Sequence, residues 1–415
     1  MKVPAPRFKA YIPLFIFSFI IFLVSLHDGI MSYMAPVIVE EKLHDTLLVG
    51  LVLSTSSLFG MFFDFIVAQF FNKKNYVFFM IWMLIFAIAF PLIFLYLPRD
   101  LAPFVFAMVV WSVYYELRSY SKFDFVHKFL PVQKNTEAWA IMTIFQSASY
   151  MLGPAVTVFL LTKNTELPLY ASLILTTASI LLFFFFIGLY GRQHAKEATN
   201  GEKPRSFWKE LNILKVLTKR VWVLVIYGFT TTLLDVAFWT TGVLYAEQLR
   251  QQSKWGNLFL VLYCLPTMFV GWIIPYIFKP LGKKRTSFIA GILAGVTLTL
   301  IGVSNNIFVI LGLVLLTSVF IDIANILLFA VFEDYVTRLD ETGHDLVSIG
   351  QFSGNLAYTI GPVLLGFIVK EWGYGWSFIS TGIILFASAV FALAIVPRKI
   401  KMPQQEIGKI LRSRK

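Results

Sequence analysis

The sequence predicts an all-α integral membrane protein, with twelve transmembrane helices arranged as two pseudo-symmetric six-helix bundles. Three observations carry this reading: the composition, a series of twelve apolar runs, and an internal repeat. Of 415 residues, 58% are hydrophobic and only 14% are charged, against roughly 25% charged in an average soluble domain. The mean hydropathy is +0.75. No soluble core could bury this many Phe, Leu and Ile residues, so soluble enzyme classes fall away. The 43 Phe residues suit a surface that meets lipid. A single cysteine, Cys264, allows no internal disulfide and no cysteine metal cluster.

A helix needs about 20 apolar residues to cross the hydrocarbon core. Runs of that kind occupy 11–35, 47–71, 76–97, 101–121, 137–162, 168–190, 221–246, 255–279, 286–304, 306–332, 345–369 and 375–396. The first is too long for a signal-peptide core and is followed directly by another span, so no cleavage is expected. The run Phe183 to Phe186 shows no helical polarity, as expected for a lipid-facing helix.

An even number of spans puts both termini on one side. Assigned to alternate sides, 29 Lys and Arg residues fall with the termini and only Lys42, Arg99, Lys163, Arg250, Lys254 and Lys370 fall opposite. The positive-inside rule then places both termini in the cytoplasm of a cell membrane. This distribution also accounts for the net charge of +12 and removes the case for nucleic acid as a partner.

Domain boundaries follow: residues 1–190 form the first bundle, 191–220 a cytoplasmic linker, 221–396 the second bundle and 397–415 a basic tail. Within the linker, Trp208, Leu211, Leu214 and Leu217 share one helical face. They describe either an amphipathic helix lying on the inner leaflet or a solvated linker with a turn or two of helix.

Six spans on either side of a linker invite a search for repetition. Spans 5 and 11 share Tyr-x-x-Gly-Pro, as Tyr150, Gly153 and Pro154 and as Tyr358, Gly361 and Pro362, at an offset of 208. Spans 1 and 7 share an acidic pair twelve residues apart, Asp28 with Glu40 and Asp235 with Glu247, at an offset of 207. Lys73–Lys74 and Lys283–Lys284 follow spans 2 and 8 at an offset of 210. Three coincidences near one offset describe two homologous halves.

Two parallel six-span halves joined by a linker are an arrangement of secondary transporters, and over nearly its whole length the chain resembles the major facilitator superfamily. Gly60 and Asp64 match the start of the family's loop motif after span 2, although Phe65 to Phe71 lack its Gly and Arg. The second copy keeps Gly271 and Gly282-Lys283-Lys284-Arg285 but has Pro275 in place of the acid. Gly153-Pro154 resembles the end of the family's antiporter motif, with Gln146 and Ser149 where glycines would stand. The resemblance implies the major facilitator fold, a monomer, and a central cavity lined by spans 1, 4, 7 and 10.

Charged residues within a membrane span are costly and are functional candidates by default. Asp28, Asp235 and Asp322 lie inside spans 1, 7 and 10, and the resemblance turns all three toward the cavity. A carboxylate in low dielectric resists ionisation, which suits it to take up and release a proton. The other reading is a hydrogen bond between helices. His27 adjoins Asp28 and is either a proton relay or a packed neutral imidazole.

Polar stripes at helical spacing accompany these acids. They comprise Thr231 and Trp239 around Asp235, Ser318 and Asn325 around Asp322, Thr143, Gln146 and Tyr150 in span 5, and Gln351, Asn355 and Tyr358 in span 11. Together with Tyr33 they are expected either to contact substrate or to bind helices together. The resemblance assigns Asp64, Glu116, Arg118, Glu333, Asp334 and Arg338 to cytoplasmic gate ion pairs, against a reading as interfacial charges that snorkel to water.

No Lys or Arg stands near the middle of any apolar run, so a neutral or cationic small-molecule substrate is expected and a strongly anionic one is not. The sequence contains no nucleotide loop, paired metal-binding His or catalytic triad, and no cofactor or metal is expected. The leading expectation is a secondary active transporter in the lipid bilayer, coupled to protons or another ion. Export of amphipathic compounds by exchange stands ahead of uptake of a neutral nutrient. A membrane-embedded enzyme or a channel is the alternative of another class.

Overall fold

The computed structural model describes residues 11–71, 74–129, 135–190, 207–277, 282–339, 343–397, 400 and 403–412. Among these residues the chain is helical throughout, and it divides into two compact units, Met1–Thr199 and Asn200–Lys415.

The first unit holds α1 (Ile12–Leu43), α2 (Thr46–Phe70), α3 (Tyr76–Tyr96), α4 (Leu101–Phe129), α5 (Asn135–Leu161) and α6 (Leu167–Tyr190). Local chemistry sets their ends. His44 adopts a left-handed conformation at the end of α1, with φ of 50°. Asp45 then accepts from the Leu47 and Leu48 amides at 2.9 and 3.3 Å and caps α2. Asn75 caps α3 through the Phe78 amide at 3.0 Å. Helix α1 packs on α5 and α6, and α4 packs on α2 and α3.

The second unit repeats that plan. It holds α7 (Phe207–Trp239), α8 (Thr241–Gln252), α9 (Phe259–Cys264), α10 (Thr267–Ile277), α11 (Lys283–Val303), α12 (Ile307–Leu339), α13 (Gly343–Trp372), α14 (Tyr374–Ile395) and α15 (Gln404–Arg412). Here α7 packs on α13 and α14, as α1 packs on α5 and α6, and α11 packs on α12 as α3 packs on α4.

The Gly-Pro elements explain one recurring contact. A Cβ at Gly153 would stand 2.8 Å from the Gly29 backbone, so α5 and α1 meet backbone to backbone. A Cβ at Gly361 would stand 2.8 Å from Val236 and 2.9 Å from Leu233, so α13 meets α7 through side chains. Close approach through small residues is how helices pack where lipid supplies no hydrophobic drive.

Eleven helices among the described residues are long and apolar enough to cross a membrane. The expected span at 255–279 is divided at Leu265–Pro266 into α9 and α10. Pro266 has no amide hydrogen to continue the ladder, and neither piece is long enough to cross by itself. Helix α7 starts at Phe207, so the last fourteen residues expected for the linker are its opening turns. Ile213 and Leu217 are buried there, and Arg220 pairs with Glu406 of α15 at 3.0 Å. The side chains of Trp208 and Leu211 lie outside the described residues, as do residues 191–206 of the linker.

Candidate functional site

Each unit gathers polar side chains around a buried aspartate. In the first, Asp28 stands on α1, fully buried. Arg118 of α4 donates from Nη1 to Asp28 Oδ2 at 2.6 Å, and both side chains are withdrawn from solvent. Tyr115 Oη donates to Oδ1 at 2.9 Å, and Tyr150 Oη of α5 donates to Oδ2. Arg118 also reaches Tyr114 Oη at 3.1 Å and Tyr150 Oη at 3.0 Å. Its guanidinium lies 5.3 and 4.8 Å from the ring centres of Tyr114 and Tyr115, within cation–π range. One turn along α4, Lys122 Nζ donates to Gln146 Oε1 at 3.1 Å.

His27 points elsewhere. Its Nδ1 meets Ser172 Oγ of α6 at 2.5 Å, while its Nε2 is buried with no hydrogen-bond partner. The ring packs beside Trp111 and Tyr114, so His27 and Asp28 occupy different faces of α1.

In the second unit, Asp235 of α7 accepts from Tyr263 Oη of α9 at 2.6 Å and from Tyr358 Oη of α13. The Trp239 indole also donates to it. Among the described residues no cation pairs with Asp235. Asp322 of α12 lies in electrostatic range of Asp235 and Tyr263. Thr267 Oγ1 stands 3.5 Å from its Oδ1, and its Oδ2 is buried without a partner among the described residues. Ser318, one turn before Asp322, bonds the Tyr263 carbonyl. Thr231 is buried and bonds its own helix at the Gly228 carbonyl, 2.9 Å away.

The remaining residues singled out from the sequence fall as follows. Tyr33 is buried in the first unit. Thr143 and Gln351 are exposed, and Asn325 and Asn355 are half-buried. Asp64 faces Glu116 and Tyr120, and Glu116 lies so close to Gly60 that a Cβ there would stand 2.9 Å from its Oε1. Asp334 accepts from Lys283 Nζ at 3.0 Å. Glu333 and Arg338 are exposed, with the Arg338 guanidinium over the Tyr335 ring at 5.7 Å.

Two expectations change. Arg118 bonds Asp28 and neither Asp64 nor Glu116, although it stays within electrostatic range of Glu116. The sequence places no Lys or Arg near the middle of an apolar run, but α4 continues to Phe129, past the end of its run at residue 121, which leaves Arg118 well inside the helix. Arg118 is therefore an interior residue. Sequence reasoning missed Tyr114, Tyr115, Lys122 and Tyr263. The spacing of Tyr115, Arg118 and Lys122 at three and four residues along α4 was the available signal for most of them.

The architecture defines a class: a multi-pass membrane protein built of two repeated helical units, each with a polar centre inside an apolar bundle. The model of the Major Facilitator Superfamily matches residues 124–339 and 256–413, and the chain belongs to that family of membrane transporters. Among solved structures it is similar to the human organic anion transporter MFSD10, at 15% identity and a TM-score of 0.63, over 94% of this chain and 100% of that one. A POT family transporter in complex with 5-aminolevulinic acid is similar at 12% identity and a TM-score of 0.73, over 93% and 96%. The nucleoside transporter NupG is similar at 12% and 0.71, over 94% and 100%. At these identities the likeness is one of fold. Comparison with curated proteins finds no significant match.

Proposed function

We propose that the protein is a secondary active transporter, monomeric in the membrane, that moves a small solute, neutral or cationic overall, by alternating access coupled to protons. The observation that supports this most is Asp235, buried in α7 and held by phenols and an indole with no cation opposite it among the described residues. Asp322 nearby has a buried oxygen with no partner among the described residues. A carboxylate kept from water but not neutralised by a base is free to change protonation as its surroundings alternate. Asp28 has a fixed counter-ion in Arg118 and so serves better as a structural pair than as a proton carrier.

Exchange of solute for protons is the direction we assign, on the partial antiporter element at Gly153-Pro154. The Lys and Arg distribution supports placing both termini in the cytoplasm of the cell membrane. The test uses purified protein in liposomes loaded with a pH-sensitive dye, challenged with neutral, cationic and anionic solutes. Solute-dependent proton movement in the wild type, absent from the Asp235→Asn/Asp322→Asn variant, supports the reading. Its sign separates exchange from symport. Proton movement that survives in the double variant overturns the coupling assignment.

A further inference from the structure

The polar wall formed by α4 and α5 carries more positive charge than it neutralises. Asp28 is the carboxylate bonded to Arg118. Lys122, one turn away, bonds only the neutral Gln146 amide among the described residues. The charges that act on Lys122 are Arg118 and Asp28, and these already cancel each other. An ammonium has three donors and Gln146 Oε1 uses one. Among the described residues Gln146 Nε2 donates to no protein acceptor, and Thr143, one turn before Gln146 on α5, is exposed with no hydrogen bond from its hydroxyl.

Lys122 reaches Gln146 across the two helices, and Thr143 stands three residues before Gln146 on α5. Lys122 and Gln146 are partly accessible and Thr143 is exposed. A cation and two polar groups aimed at hydrocarbon are disfavoured, so this face of the unit is wet. Its donors exceed its acceptors among the described residues, and no carboxylate there bonds Lys122.

We propose that Lys122, Gln146 and Thr143 form a subsite for the carboxylate group of the transported solute. The Lys122 ammonium supplies the charge, and the Gln146 amide and Thr143 hydroxyl donate to the carboxylate oxygens. One cation matches a monoanion; a phosphate, which is largely dianionic above neutral pH, would leave charge unmet there. A solute that is neutral overall and carries a carboxylate is zwitterionic, which names the substrate class. The assignment rests on the reading of the chain as a solute transporter.

The test follows thermal unfolding of the full-length protein in detergent micelles against benzoate and β-alanine, each beside its amide, and against inorganic phosphate. The expected result is a rise in unfolding temperature with both carboxylates and none with the amides or phosphate. Lys122→Met removes the rise and Lys122→Arg keeps part of it. Gln146→Glu places a carboxylate beside Lys122, so the variant is stabilised without ligand and no longer responds to added carboxylate. No rise with either carboxylate, an equal rise with amides or phosphate, or a rise that survives in Lys122→Met overturns the subsite. The micelle assay has no proton gradient, so it fails independently of the coupling reading. Carboxylate binding in micelles with silent liposomes counts against proton coupling alone. Amides transported as well as acids count against the subsite alone.

Discussion

The two halves place an aspartate at the same position and treat it differently. Asp28 and Asp235 each accept from the tyrosine of the repeated Tyr-x-x-Gly-Pro element, Tyr150 in one half and Tyr358 in the other. Around that shared contact the partners diverge. Asp28 meets the Arg118 guanidinium, whereas the repeat offset of 207 puts Asn325 at the corresponding position of α12. The same offset puts Asp322 where the first half has Tyr115. One half therefore holds a neutralised pair and the other holds two acids with no base paired to them among the described residues. The second acid of each repeat reverses the pattern: Glu247 pairs with Arg250, while Glu40 has a buried oxygen with no partner. The same scaffold can pair a buried acid with a base or leave it among phenols, according to two residues on the facing helix.

The comparison breaks most sharply at Arg118. Removing one partner of a buried ion pair leaves the other uncompensated, at a cost of about 3–5 kcal/mol. Arg118→Met is expected to lose that much stability, read by thermal unfolding in micelles, and Asp28→Asn/Arg118→Gln to recover most of it. If Arg118→Met were as stable as wild type, the locked pair would be no structural element. Asp235→Asn keeps groups that can bond Tyr263 and Tyr358, so its expected loss is only about 1 kcal/mol. A collapse comparable to that of Arg118→Met would erase the distinction between the halves.

Glycine substitutions sharpen the contrast in packing. Gly153→Ala drives a methyl group into the Gly29 backbone, which has little room to yield, whereas Gly361→Ala meets the Val236 and Leu233 side chains. Overpacking of this kind costs about 1–3 kcal/mol, and Gly153→Ala is expected at the upper end with Gly361→Ala below it. Equal unfolding temperatures for the two variants would contradict that order. The smallest effect belongs to the partly exposed Lys283–Asp334 pair. Lys283→Met is expected to change stability by no more than about 1 kcal/mol, and a larger drop would mark the pair as something other than a surface contact.

Much of the fold was legible because span length and apolar periodicity are local properties. Composition and hydropathy located eleven of the twelve runs as helices that can cross a membrane, and the repeat offset paired residues that meet in the same way in both halves. The twelfth run was apolar enough, but Pro266 interrupts its hydrogen-bond ladder, which hydropathy does not register. The site was only partly legible. The repeat marked Asp28, Asp235, Tyr150 and Tyr358 as equivalents across the halves, and the structure adds that the acid and the tyrosine of each half meet. The Arg118 contact did not follow from the repeat, because α4 stays helical through the polar residues Ser119 to Lys128 and carries the guanidinium inward. Tyr263 was not singled out because hydropathy does not register the break between α9 and α10 that follows it two residues later.

The most direct measurement of the central claim compares Asp235→Asn with Asp28→Asn/Arg118→Gln in dye-loaded liposomes, with folding of each variant checked beforehand. The account predicts that Asp235→Asn abolishes solute-dependent proton movement, while the first-half double variant retains proton movement per solute at the wild-type ratio. Loss in the first-half variant with Asp235→Asn unaffected would contradict it, and would place the titrating group on Asp28 instead.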